Sequence, residues 1–189
     1  MAITPTLSHI ALMTRRYEDM KNWYINVFGA EIVHGDPALA FLAFDQESHR
    51  FAIANLDVLR PEKPEGSGPG EIGVNHIAFT YTSAANLLET YARLKEKGIK
   101  PYWPVHHGFT LSLYYQDPDG NRIELQVETC SSQEAFDYMR GEMFANNPVG
   151  VEVDPDTLLE RYRGGATEAE LKAMPNGEPS PIPIAHGMT

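Results

Sequence analysis

The chain has 189 residues, 42% hydrophobic and 22% charged, enough for one sizeable core in one domain. A formal charge of −11 sets it against nucleic acid and anionic membranes, no apolar run is long enough to span a bilayer, and a lone cysteine, Cys130, excludes an internal disulfide. MAITPTLS has neither a basic region nor an apolar core, so the expectation is a cytoplasmic protein whose partner is a small molecule.

The first element is a strand over residues 7–12, LSHIAL, in which alternation puts Ile10 and Leu12 on one face and His9 on the other. Residues 15–18 (RRYE) read as a solvated helix start. The amphipathic helix behind them carries Met20, Trp23, Tyr24, Val27 and Phe28 at helical spacing and ends at Gly29. Further strands follow, among them RFAIAN in ESHRFAIANL, which His49 precedes. Residues 60–71 (RPEKPEGSGPGE) are rich in Pro and Gly and read as a crossover loop and lip.

The pattern then restarts. VNHIAF sets His76 opposite Ile77 and Phe79, and a second amphipathic helix with Leu87, Leu88, Tyr91 and Leu94 ends at Gly98. Gly29 follows His9 by 20 positions and Gly98 follows His76 by 22, so the chain reads as two copies of one strand–helix–strands unit packed together. The second copy closes with a hairpin, Thr110–Gln116 and Arg122–Glu128, turning at Asp117, Pro118, Asp119 and Gly120. Beyond Cys130 the character changes. A helix is expected over residues 131–145 and another from Asp154-Pro155 to Tyr162. The Pro-rich end, 175–189, is expected to be loose, and the whole tail reads as surface packing or an oligomer contact.

Alternation also sorts the hairpin. Leu111, Leu113 and Tyr115 share a face against Ser112 and Tyr114, and Ile123, Leu125 and Val127 share one against Glu124, Gln126 and Glu128. The apolar faces must pack on helices, which brings His9, His76, Glu124 and Tyr114 to concave faces. Two neutral imidazoles and a carboxylate suit a divalent first-row metal, and three facial ligands leave positions open. A single strand histidine is more often a satisfied core residue; the repeated place of His9 and His76, with an inward Glu124, favours the metal site. His34 and His186 read as surface residues, and Tyr102, Trp103 and Phe109 as core more than as pocket lining.

LSHIAL, VNHIAF and above all YYQDPDGNRIELQVE resemble the vicinal oxygen chelate superfamily over residues 5–129. That resemblance implies an α+β fold in which two βαβββ modules form one metal-centred, cup-shaped mixed sheet. The modules would cover about 5–59 and 72–129, with a linker at 60–71, in a domain of residues 1–130; residues 131–189 would be a helical and loose C-terminal extension. The superfamily holds glyoxalases, epimerases, drug-resistance proteins and extradiol dioxygenases, so membership does not give the reaction. Glyoxalase-like members add a fourth ligand, a glutamate near the end of module one. Here Ala54 or Asn55 stands there, depending on how the strands are matched, and only Asp57, on an ungapped count, is a carboxylate.

Extradiol members carry a histidine that His49 resembles and a tyrosine ten positions before the glutamate, which Tyr114 matches. A further histidine is matched by His106 or His107, at a spacing a residue or two shorter than the pattern. The resemblance thus implies a compact, one-barrel dioxygenase of catechol-type aromatic diols. It would hold Fe(II), or alternatively Mn(II) or another divalent metal, on His9, His76 and Glu124, with O2 as co-substrate. His49 would accept and return a proton, while Tyr114 and His106 or His107 would hydrogen-bond the substrate. A homo-oligomer is expected. Two other classes stay open: another metal enzyme on the same cup (isomerase, epimerase, lyase or glyoxalase-like), and a metal-free module that sequesters an aromatic ligand.

Overall fold

The sequence repeat is realised as two βαβββ units. The computed structural model describes residues 4–62, 72–116, 120 and 122–188. Its first unit runs β1 (Thr6–Thr14), α1 (Tyr17–Phe28), β2 (Glu31–Gly35), β3 (Leu39–Ala43) and β4 (Phe51–Asn55), followed by a short α2 (Leu56–Leu59). The second runs β5 (Gly73–Tyr81), α3 (Ala84–Glu96), β6 (Trp103–His106), β7 (Thr110–Gln116) and β8 (Arg122–Glu128). Each unit's first strand pairs in parallel with its own last strand, and β1 meets β5 antiparallel. One open mixed sheet results, ordered β2-β3-β4-β1-β5-β8-β7-β6, with a ninth strand, β9 (Val151–Glu152), added at the β6 edge from the extension.

The helices end where glycine permits it: Gly29 caps α1 at φ 64°, and Gly98 follows α3 at φ 76°, both in the left-handed region. Alternation places the core as expected. Leu111, Leu113, Tyr115 and Val127 pack with Leu87, Leu88 and Tyr91 of α3, and Leu12, Leu42 and Ile53 pack with Tyr17 and Ile25 of α1. Ile77, expected under a helix, is 36% exposed instead. The side chains of Trp23, Val27 and Phe28, linker residues 63–71 and hairpin residues 117–119 lie outside the described residues.

The start of α1 departs from its solvated reading. The Arg15 side chain is only 6% exposed; it donates to Asp57 Oδ1 at 3.0 Å and to the carbonyls of Leu56 and Arg60. Tyr17 is buried and donates to the Asp36 carbonyl at 2.8 Å.

The single helix expected over residues 131–145 is two, α4 (Ser132–Met139) and α5 (Glu142–Asn146). Gly141 between them is extended (φ −91°, ψ 168°) and caps the second. α6 (Pro155–Arg163) starts as expected, with Asp154 accepting from the Asp156 amide. α7 (Glu168–Leu171) is an additional element, marked by a capping box of Thr167 and Glu170. Leu158, Leu159 and Leu171 extend the α3 core, while Ala135, Met139 and Phe144 fill the other side of module one against Phe41 and Phe109.

The end of the chain is not loose. Over residues 180–188 it makes a 3-10 turn (Ile184–His186) and lies against β5, β6 and β8, held by donors from Asn75, Trp103 and Arg122.

Candidate active site

Both repeated histidines sit on β-bulges. Between the pairs Leu7–Phe79 and Ile10–Ile77, β1 sets Ser8 and His9 against Ala78 alone; between Ala11–His76 and Leu12–Val74, β5 carries the extra Asn75. A bulge suspends alternation and re-aims side chains. Ser8 with His9, and Asn75 with His76, are accordingly all buried.

The two Nε2 atoms are 3.0 Å apart, and Glu124 Oε2 lies 3.1 Å from each. Among the described residues this is the one group of three His, Cys, Asp or Glu side chains able to share an ion. The triangle fits a small divalent cation, because bonds of about 2.1 Å at right angles separate neighbouring ligand atoms by about 3.0 Å. Glu124 Oε2 is buried with no hydrogen-bond partner, the state of an oxygen whose natural contact is a cation. Burial alone would push the Glu124 carboxyl up, but the imidazoles of His9 and His76 hold it well below the usual carboxylate range. Burial pushes the His76 pKa down, against the pull of Glu124. The Asn75 Oδ1 lies 2.7 Å from His76 Nδ1; with that nitrogen donating, the Nε2 lone pair faces the centre. His9 Nδ1 is buried without a partner.

Strand register identifies the counterpart of Glu124 in module one. Glu124 pairs with Ala78, two residues after His76, and Ala52 pairs with Ala11, two residues after His9. The matching residue is therefore Ala52, not Ala54 or Asn55. Asp57 points elsewhere, 59% exposed and paired with Arg15. The same logic matches Tyr114, opposite Glu124, with Phe41, opposite Ala52.

A cavity of about 210 Å³ opens above the triad, walled by Leu39, Phe41, Phe109, Val149 and Ile182 among others. A larger, shallower groove of about 860 Å³ beside α1 is lined mainly by charged and polar residues, the Arg15–Asp57 pair among them. Around the cavity, His49 is buried with its ring centroid 4.4 Å from His9 and 4.7 Å from Phe41, and Nδ1 3.2 Å from Ser48 Oγ. Burial, then the neighbouring His9, pushes its pKa well down.

Burial and Glu124 push the Tyr114 hydroxyl well up, so it keeps its proton. That hydroxyl is 3.1 Å from His107 Nε2, whose Nδ1 lies 2.6 Å from the Val149 carbonyl. A carbonyl can only accept, so Nδ1 carries the ring proton and Nε2 accepts from Tyr114.

The two adjacent histidines separate cleanly. Alternation from Trp103 puts Val105 and His107 on the cup side and His106 on the other. His106 spends both nitrogens structurally, donating to the Lys172 carbonyl at 2.9 Å and accepting from the Gly108 amide at 3.0 Å. Trp103 stacks on Tyr114 (5.0 Å) and lines the cavity, as does Phe109.

Two of the surface assignments do not hold. His34 contacts the Met139 carbonyl at 3.0 Å and stacks edgewise on Phe144, fastening α4. His186 is 3% exposed and lines the cavity. Asn75 is the other cup residue that sequence reasoning missed; its place directly before a ligand-type histidine was a usable signal, whereas His186 left none.

These features have known counterparts. A family model described as the Glyoxalase/Bleomycin resistance protein/Dioxygenase superfamily matches residues 6–125, and the chain belongs to that superfamily. Within it, the chain is 41% identical to biphenyl-2,3-diol 1,2-dioxygenase 3 of Rhodococcus globerulus, over 90% of this chain and 89% of that one. It is 44% identical to biphenyl-2,3-diol 1,2-dioxygenase 2 of the same organism, over 87% and 85%. Among solved structures, a Mn(II)-bound glyoxalase from Novosphingobium aromaticivorans superposes with a TM-score of 0.53 at 23% identity, over 93% of this chain and 51% of that one. This chain spans about half of that structure, and the likeness is one of fold. Among the described residues no helix is long and apolar enough to cross a membrane.

Proposed function

We propose that this chain is an Fe(II)-dependent extradiol dioxygenase that opens a catechol-type ring beside its diol, with two-ring diols of the biphenyl-2,3-diol kind as substrates. Residues 1–130 form the domain that does this, and residues 131–189 are an extension that walls it. The observation that carries the reading is the asymmetric floor of the cup: His9, His76 and Glu124 converge, while Ala52 stands where a fourth carboxylate would sit. Three ligands on one side leave room for a chelating diol and for O2; with Ala52 in the place equivalent to Glu124, no second carboxylate stands there for isomerisation to use as its base.

His9, His76 and Glu124 would hold the iron, which supplies Lewis acidity toward the two ring oxygens and the redox capacity that oxygen chemistry needs. The rest is done by side chains. His49, kept neutral by burial, accepts a proton from the diol and can return it later in the reaction. The Tyr114 hydroxyl, donating to His107, turns its oxygen's lone pairs to the cup, where it hydrogen-bonds a diol hydroxyl that still carries its proton. Phe41, Phe109 and Ile182 present apolar walls that suit an aromatic ring and exclude water. The relatives named biphenyl-2,3-diol dioxygenases, alike over most of both chains, support the two-ring substrate.

The test is anaerobic loading with Fe(II), metal analysis, then oxygen uptake with biphenyl-2,3-diol and catechol while the coloured ring-opened product is followed. One iron per chain and one O2 per diol are expected. Iron-loaded protein that opens neither ring overturns the reading.

A further inference from the structure

Residues 180–188 reach the cup from far along the chain, and specific bonds hold them there. Trp103 Nε1 donates to Ser180 Oγ at 2.9 Å, Arg122 Nε to the Ala185 carbonyl at 2.7 Å, and Asn75 Nδ2 to the His186 carbonyl at 2.9 Å. Ordering nine residues of coil is entropically costly, so three directional anchors imply a defined position for what this strap carries. It carries His186 into the cavity. The ring centroid sits 4.9 Å from Tyr114, 4.7 Å from Trp103 and 5.6 Å from His76.

His186 Nδ1 is 3.1 Å from the Tyr102 hydroxyl. Nε2 makes no hydrogen bond among the described residues, and the ring lines the cavity, so this nitrogen is free to meet a ligand there. The three groups beside the ring are the ligand-type His76, the proton-holding Tyr114 and the stacked Trp103, so an oxygen of a bound diol is the acceptor within reach.

Asn75 makes the strap more than a wall. Its Oδ1 orients His76 and its Nδ2 holds the strap, so one side chain links a metal-ligand geometry to residues 111 positions away.

We propose that His186 is a substrate-contacting, specificity-determining residue of the cup, and that Asn75 is the positioning residue coupling its strap to His76. The nature of the substrate rests on the dioxygenase reading; the coupling does not. Gly187 gives a handle outside the cavity. It lies at φ 75°, and a Cβ there would fall 2.3 Å from Arg122 Nη2, so Gly187→Ala loosens the strap without removing any group that lines the cup.

The experiment is an anaerobic titration of metal-loaded full-length protein with biphenyl-2,3-diol, read by tryptophan fluorescence, beside a chelator competition that needs no diol. His186→Leu should weaken diol binding by about tenfold with metal retention unchanged, and His186→Gln should recover most of the loss, since its amide can donate. Gly187→Ala should weaken diol binding and speed metal loss to chelator together, and Asn75→Ala should lower metal affinity by about 10–100-fold. Diol binding by His186→Leu within about twofold of wild type overturns the substrate contact. Metal loss unchanged in both Gly187→Ala and Asn75→Ala overturns the coupling. Wild-type protein that binds the diol tightly yet opens no ring refutes the dioxygenase reading and leaves the His186 result standing on binding alone.

Discussion

In module two, Tyr114 faces Glu124 across paired strands; in module one the same two places hold Phe41 and Ala52. The backbones are near copies, down to a bulge at each histidine, but the side chains divide the work. Module two lends a carboxylate, a hydroxyl and the His107 behind it. Module one lends volume, an apolar wall and His49 from the loop ahead of β4. Even the shared histidines differ, since His76 has Asn75 at its back and the His9 Nδ1 has nothing. The repeat supplies the symmetric pair of imidazoles, and Ala52 and Phe41 in one half leave the set of ligands open on that side.

Exchanging residues between the halves tests that division. Glu124→Ala writes module one into module two and should have the largest effect, leaving two imidazoles with too little affinity to keep a metal against dilute chelator, so turnover disappears. Metal analysis after dialysis reads it; full occupancy would mean the ion is held elsewhere. His49→Phe removes the titratable group that module one sets beside His9. Iron content and anaerobic diol binding should persist while ring opening slows by about 10²–10⁴-fold. A wild-type oxygen-uptake rate in that variant would make His49 a packing residue.

Ala52→Glu runs the exchange the other way, placing a carboxylate opposite Glu124. Metal should then resist chelator better than in wild type while oxygen uptake falls by about 10²-fold, because a position meant for substrate is taken. Unchanged retention with unchanged turnover would show that the two positions are not equivalent. Tyr114→Phe copies only the Phe41 character, and the expected loss is smallest, about tenfold in kcat with the metal intact. A loss confined to KM would assign the hydroxyl to binding alone.

Much of this was legible in the chain. Five of the nine strands (β1, β4, β5, β7 and β8), both sheet-packing helices and the faces of β7 and β8 follow from period-two and period-3.6 patterns, because burial of one face is a local demand that each strand or helix must satisfy. Strands β2, β3 and β6 were implied only by the family resemblance. The inward facing of Glu124 and Tyr114 follows from the same demand applied to polar residues, whereas His9 and His76 are aimed by bulges at their strands. What failed was non-periodic. The strand positions assigned to module one's fourth-ligand place were off by two or three residues, since the β1–β4 register depends on pairing and not on spacing counted along the chain. Gly141 split a helix that looked continuous, and Arg15 was buried by Asp57, 42 residues away.

The sequence by itself determined that two like units would pack together and pointed to two imidazoles and a carboxylate in one cup, since the repeat gives both histidines the same place and alternation turns Glu124 away from the apolar face of its strand. Only the tertiary structure decided which of His106 and His107 faces the cup, which residue stands opposite Glu124, and that Asn75 and His186 belong to the site at all. The first two depend on strand register. The last depends on a bulge that breaks alternation and on a strap whose contacts close over 111 residues, and no local pattern encodes a contact between segments that meet only after the sheet has formed.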